Sequence, residues 1–269
     1  FVVSLGGGDG VYLYKVSNDG SLVFQEYYSE ISPGVGRGCS IIQLSDNNYM
    51  IGLTNQSVDE EGDFFVMKFN GEGDTIFTKN FNKYETQHLL SIIEDQNNEI
   101  ILTGFNENNN PMGNNHYFLK INQIGQITDS IEFESLVDEE SHQVILSNNE
   151  YIFGGMVYNK LSERDFLLRK TNGSGEIIFE NSFDNTFNDD FLFTIIKTSD
   201  EGFLLVGSSW NMIDQYSTFL VKTNQFGNIT STFEIPLLKP ERKLEKTVNI
   251  IGQEVKPQTN TPIIEIYDD

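Results

Sequence analysis

Cysteine occurs once in the 269 residues, at Cys39, so the chain forms no internal disulfide and its fold rests on packing alone. The run Cys39-Ser40-Ile41-Ile42 reads as strand, with the thiol as a small hydrophobe rather than a reactive group. Histidine is confined to His88, His116 and His142, whose spacing excludes a His-Glu-x-x-His zinc centre. No Gly-x-Ser-x-Gly elbow is present, which removes the strand-turn-helix serine hydrolases. No apolar run approaches the length of a membrane-spanning helix. Phe1-Val2-Val3-Ser4-Leu5 has neither the basic stretch nor the full apolar core of a signal peptide. Positive charge is scarce as well. Seventeen Lys and Arg stand against 40 Asp and Glu, a formal charge of −23, and such a field repels nucleic acid and anionic lipid while favouring solubility.

A period is what the chain does have. Lys15, Lys68, Lys120, Lys170 and Lys222 stand 53, 52, 50 and 52 residues apart, and each is followed five places on by a glycine: Gly20, Gly73, Gly125, Gly175 and Gly227. The unit is clearest in Asp63–Phe81, where an apolar strand runs through a Lys-x-Asn-x-x-Gly turn into a second strand. Two further strands precede it, around Asp46-Asn47-Asn48, giving four strands per module. Five modules are visible, the first without its beginning, and a fixed period of this size with four strands per unit predicts an all-β propeller of four-stranded blades. Aromatic residues at 12% suit strands. The third strands, such as Phe64-Phe65-Val66-Met67 and Phe166-Leu167-Leu168, are apolar on both faces, as sheets covered on both sides require. Gly104, Gly155 and Gly207 recur near the ends of second strands, with Gly52 one place early, and mark bulges or close backbone approach.

The repeat occupies residues 1–235. Residues 236–269 read as a linker and appended tail, with three of the six prolines after Pro236 and a local excess of Lys and Arg. A segment at Thr247–Ile251 is the expected stand-in for the first module's missing strand if five modules close a ring. The repeat resembles the propeller-type repeats of secreted Bacteroidota proteins. The tail, Lys243–Glu254 with Ile251-Gly252-Gln253 and then Pro262–Asp269 ending Tyr267-Asp268-Asp269, resembles the C-terminal sorting segment of type IX secretion cargo. That resemblance implies a secreted or cell-surface protein whose tail is read by the secretion machinery. The family pattern continues past the Asp-Asp with Gly and a short strand, so the reading also expects a chain cut at both ends.

For function, the residues point first to a non-enzymatic binding or scaffold module with glycan or protein at its loops. Arg37, His88 and Glu140 lie near the starts of successive first strands, where repeated loops converge, and Trp210, the only tryptophan, is placed in a loop as a contact residue for carbohydrate or protein. Calcium is the one cofactor considered, with Asp184, Asn188, Asp189 and Asp190 as weak oxygen ligands in a segment that lacks the alternating EF-hand pattern. Four arginines are too few to suggest the arginine cluster of a sialidase-like propeller. A propeller hydrolase or lyase acting on polysaccharide is the alternative reading, and a structural adhesion component is the third. A convergent cluster of carboxylates with Arg and His at one mouth of the blades is the feature that would favour the enzyme.

Overall fold

The computed structural model describes residues 2–5, 10–29, 31, 39–56, 62–82, 86–107, 113–133, 135, 137–159, 163–185, 189–211, 215–236, 244–249, 253–254, 256 and 263–267. Every regular element among them is a strand, and the chain divides into two compact units, Phe1–Ile235 and Pro236–Asp269.

The first unit is a β-propeller array of five antiparallel sheets. The first sheet has three strands, β1 (Val2–Leu5), β2 (Val11–Val16) and β3 (Leu22–Tyr28). Four four-stranded sheets follow in simple meander order. They are β4 (Cys39–Gln43) to β7 (Thr75–Phe81) through β5 (Tyr49–Gln56) and β6 (Gly62–Phe69); β8 (Thr86–Glu94) to β11 (Ile127–Phe133) through β9 (Ile100–Glu107) and β10 (Asn114–Ile121); β12 (Glu139–Ser147) to β15 (Ile177–Phe183) through β13 (Glu150–Asn159) and β14 (Glu163–Thr171); and β16 (Asp189–Lys197) to β19 (Ile229–Pro236) through β17 (Phe203–Asn211) and β18 (Gln215–Thr223). In the second unit β20 (Leu244–Asn249) pairs with β21 (Ile263–Tyr267) as a two-stranded sheet. Of the stretch 247–251 expected as a stand-in strand, Thr247–Asn249 belong to β20, where Val248 opposes Ile264, and residues 250 and 251 lie outside the described residues.

The core lies between neighbouring sheets, not within any one of them. Phe64, Val66 and Met50 pack on Leu89, Leu102 and Tyr117 of the next sheet, and Phe166, Leu168 and Ile152 pack on Leu192, Leu205 and Phe219. A third strand therefore meets apolar partners on both faces, and β6 is buried along its whole length. Fourth strands are mostly exposed, as in β7. First strands touch one another: Ile92 N–H donates to Ser40 Oγ, Val144 N–H to Ser91 Oγ, and Ile195 N–H to Gln143 Oε1. These bonds cross from each first strand to the next, so the first strands are innermost.

The repeated motif has a local cause. Asn70, Asn122, Asn172 and Asn224 each accept, through Oδ1, the backbone N–H groups two and four residues on, which closes the third turn of each module. The glycine that follows adopts φ between +76° and +99° in these four turns, a conformation that favours glycine. The recurrent lysine crosses to the next sheet: Lys15 Nζ donates to Gly71 O, Lys68 to Gln123 O and Lys120 to Gly173 O. Each of the later lysines also meets an acid of its own first turn, as Lys68 does Asp46 at 2.7 Å. Five copies of one residue thus serve the seams and turns of the sheets.

The aligned glycines answer to bulges. β8, β12 and β16 each carry an extra residue, at 90, 142 and 193. The carbonyls of His88, Glu140 and Phe191 press on Gly104, Gly155 and Gly207, leaving no room for a Cβ. In β4 the register is unbroken and Leu53 stands where the others have glycine. Gly52 and Gly154 instead make room for the side chains of Ile92 and Ile195 in the following sheet.

Candidate functional site

First strands begin, second strands end and third strands begin at one edge of each sheet. On the last two sheets this edge gathers ionisable groups. Glu140 is half-buried on β12, its Oε2 3.1 Å from His142 Nε2, while Asn114 Nδ2 donates to its Oε1 at 3.2 Å. Burial opposes ionisation of this carboxyl, but the His142 imidazole, the Arg164 guanidinium and the Asn114 amide outweigh it, so the pKa is lowered and Glu140 is ionised at neutral pH. Both residues sit at the β12 bulge, in which His142 is the extra residue. Asp138 fixes the surroundings. Its carboxylate accepts the Asn114 N–H, and its carbonyl accepts the Tyr158 N–H at 2.8 Å, which holds the end of β13 beside the start of β12.

Opposite Glu140, across Arg164, stands a second acidic pair. Glu163 opens β14 with φ +73°, a strained value for a residue with a side chain. The neighbouring Asp189 carboxylate of β16 raises its pKa against the pull of Arg164. Arg164 Nη1 lies 3.9 Å from Asp189 Oδ1, and its guanidinium sits over the Phe191 ring at 5.4 Å. Asp189 is directly opposed by Trp210 on β17, and Trp210 by Tyr216 on β18, so the three side chains share one face of the last sheet. Tyr216 is exposed and Trp210 half-buried. Trp210 is therefore a strand residue, where the sequence reading placed it in a loop; strand pairing extends through Asn211–Gln215.

Beneath this edge Asp165, Asp184 and Asp190 bring carboxylate oxygens within 4.8 Å of one another. Asp190 is fully buried, and burial pushes its pKa up to about 7; hydrogen bonds from Ser209 and the Asn185 N–H oppose the rise, and the charges of Asp184 and Asp165 add to it.

A third polar set lies at the seam between the second and third four-stranded sheets. Buried Arg169 donates through Nη2 to Glu139 at 2.7 Å, through Nε to Glu180 at 2.6 Å, and through Nη1 to His116 Nδ1 at 2.7 Å. A donor at Nδ1 leaves the His116 proton on Nε2, where it reaches Thr103 Oγ1 at 3.0 Å, and Thr103 in turn donates to Ser141 Oγ. Burial, and then the Arg169 charge, hold the His116 pKa well below its ordinary value, so the ring is neutral. Phe133 covers the guanidinium at 4.3 Å. This set anchors the start of β12, from which Glu140 projects.

The structure treats the sequence-derived candidates unequally. Arg37 and Asn188 lie outside the described residues. His88 is buried on β8, its Nε2 2.6 Å from Glu107 and its ring 4.5 Å from Phe105. Glu140, Asp189 and Trp210 fall at the leading edge of the last two sheets, and Asp184 and Asp190 share the carboxylate cluster. Sequence reasoning missed Glu163, Arg164, Asp165 and Arg169. Arg169 had a signal, since the residue before the recurrent lysine is otherwise Met67, Leu119 or Val221 in the four-stranded modules.

No family model matches the chain, and no curated protein matches it. Solved structures do. An α-L-arabinofuranosidase from Fusarium graminearum, in complex with an iminosugar inhibitor, superposes with a TM-score of 0.56 at 8% identity, over 82% of this chain and 70% of that one. A protein described as a putative exo-β-1,3-galactanase from Bifidobacterium bifidum gives 0.52 at 12% identity, over 84% of each chain. A subtype N10 neuraminidase-like protein of A/little yellow-shouldered bat/Guatemala/060/2010 gives 0.50 at 10% identity, over 76% of this chain and 61% of that one. These likenesses show the fold. The expectation of a non-enzymatic binding module is corrected here: the chains that share the fold include those named as glycoside-cleaving enzymes, and the edge carries the convergent Arg, His and carboxylate cluster that favours the alternative. The chain is a β-propeller whose similarity to these proteins is one of architecture.

Proposed function

We propose that this protein is a propeller hydrolase that cleaves glycosidic bonds in polysaccharide. The observation that carries the reading is the meeting, around Arg164, of carboxylates from two sheets: Glu140 on β12, and the neighbouring Glu163 and Asp189 of β14 and β16. Glycoside hydrolysis asks for two carboxyl groups in different protonation states. Glu140, beside His142 and Arg164, is the ionised member, and it either attacks the sugar carbon or takes a proton from water. Glu163, whose pKa the neighbouring Asp189 carboxylate raises, is the proton donor in this reading, and its proton passes to the leaving oxygen as the carbon–oxygen bond breaks. The aromatic face of Trp210 and Tyr216, continuing from Asp189, suits the apolar face of a sugar ring. Polymers of this kind are met outside the cell, in keeping with the sorting-like tail, and cell fractionation tests that location.

The test is reducing-sugar release from arabinan, galactan and xylan, alongside chromogenic arabinofuranosides and galactosides. Release by the parent protein is expected. A folded protein that releases nothing from any of them sinks the reading. With an active substrate in hand, Trp210→Ala is expected to raise KM about tenfold, the equivalent of about 1.4 kcal/mol of lost contact, with kcat within a factor of about two. An unchanged KM would remove Trp210 from the sugar-binding face.

A further inference from the structure

The carboxylate cluster behind the edge has no part in the hydrolysis. Asp165 is on β14, Asp184 follows β15 and Asp190 is on β16, so three backbone segments from two sheets place acids within 4.8 Å of one another. Two of the three are buried: Asp165 is 2% exposed and Asp190 not at all. Asp190 Oδ2 accepts the Asn185 N–H at 2.7 Å, whereas its Oδ1 is buried with no hydrogen-bond partner. A carboxylate oxygen closed off from water without a donor costs free energy, and here it sits in a group of like charges. Asp184 is exposed and gives the cluster an opening to solvent.

We propose that Asp165, Asp184 and Asp190 bind a hard divalent cation of the calcium type. Three carboxylates offer three to six oxygens, and water entering beside Asp184 completes the six to eight that calcium takes. The ion supplies Asp190 Oδ1 with the partner it lacks and cancels most of the repulsion. It also ties the start of β14 to the start of β16, which are the segments that present Glu163, Arg164 and Asp189. The sequence reading named Asp184 and Asp190 as weak calcium ligands; Asp165, 19 residues before Asp184, joins them only through the fold.

The experiment is calcium titration by calorimetry, with melting temperature read in EDTA and in calcium chloride, both in about 150 mM NaCl to screen the general negative charge. At a free calcium concentration about 100 times the dissociation constant, melting should rise by about 5 °C or more. Asp190→Asn and Asp165→Asn should lose the calcium response. Each removes a like charge from an unfilled cluster, so each should melt at or above the parent in EDTA, which separates a lost site from a lost fold. Asp74→Asn, on an exposed turn, should respond as the parent does. No heat of binding and no melting shift up to about 10 mM calcium overturns the proposal, as does an Asp190→Asn protein that keeps the full response. Neither readout depends on glycosidase activity, so failure here and failure of the hydrolase reading are told apart.

Discussion

Glu140→Gln is expected to lower kcat by about 10³-fold on whichever glycoside or polysaccharide the parent cleaves, with KM changed by less than about threefold. That loss corresponds to about 4 kcal/mol of transition-state stabilisation. The substitution keeps the shape of the side chain and its Oε1 acceptor for Asn114, and it removes the negative charge that His142 and Arg164 hold in place. Because the charge is what changes, the loss should appear in kcat. Glu163→Gln should slow the reaction less for substrates whose leaving group needs no proton, such as nitrophenyl glycosides, than for polymers. That split distinguishes a proton donor from a carboxylate that acts at the sugar carbon. Steady-state rates for the two variants on the two substrate types provide the measurement. A Glu140→Gln protein with near-parental kcat would exclude Glu140 from the chemistry.

The period was legible because it is local physics repeated. The asparagine that closes each third turn, the glycine that follows at positive φ, and the lysine that reaches the next sheet recur together, and all three can be read from spacing. Gly104, Gly155 and Gly207 were legible as close approaches, and even the exception held, since Leu53 marks the first strand that has no bulge. The site was legible only in pieces. Glu140 and Trp210 stood out as a position near a first strand and as a unique residue, but nothing in their spacing joined them. Glu163 and Arg164 belong to a different strand from Glu140, and their meeting with it depends on the packing of β12, β14 and β16. Asp165 was masked by the repeat itself: it stands five places before the recurrent lysine, as Asp63 does, and so read as a structural position. Its place in a cluster comes from Asp184 and Asp190, which the fold brings to it from the next strands.

Gly155→Ala is expected to cost at least about 3 kcal/mol of stability and to lower kcat by about 100-fold below the melting transition. A methyl on Gly155 would occupy the space of the Glu140 carbonyl oxygen, with the Glu140 carbonyl carbon and Ser141 Cα close behind, all of them backbone. Backbone on this ladder cannot yield as a side-chain tip does, so β12 must move away from β13 or lose its bulge. Either response shifts Glu140 relative to Arg164 and turns His142 away from it, and a displacement of about 1 Å is enough for a loss of that size. Gly104→Ala supplies the comparison. It sets the same clash against the His88 carbonyl one sheet earlier, so it should destabilise by a similar amount and, at a temperature where it remains folded, keep near-parental kcat. Thermal melts and kinetics on the two alanine variants thus separate what the bulge does for the fold from what it does for the site. Equal kcat losses in both would mean that the glycines serve packing alone and that Glu140 is positioned by other means.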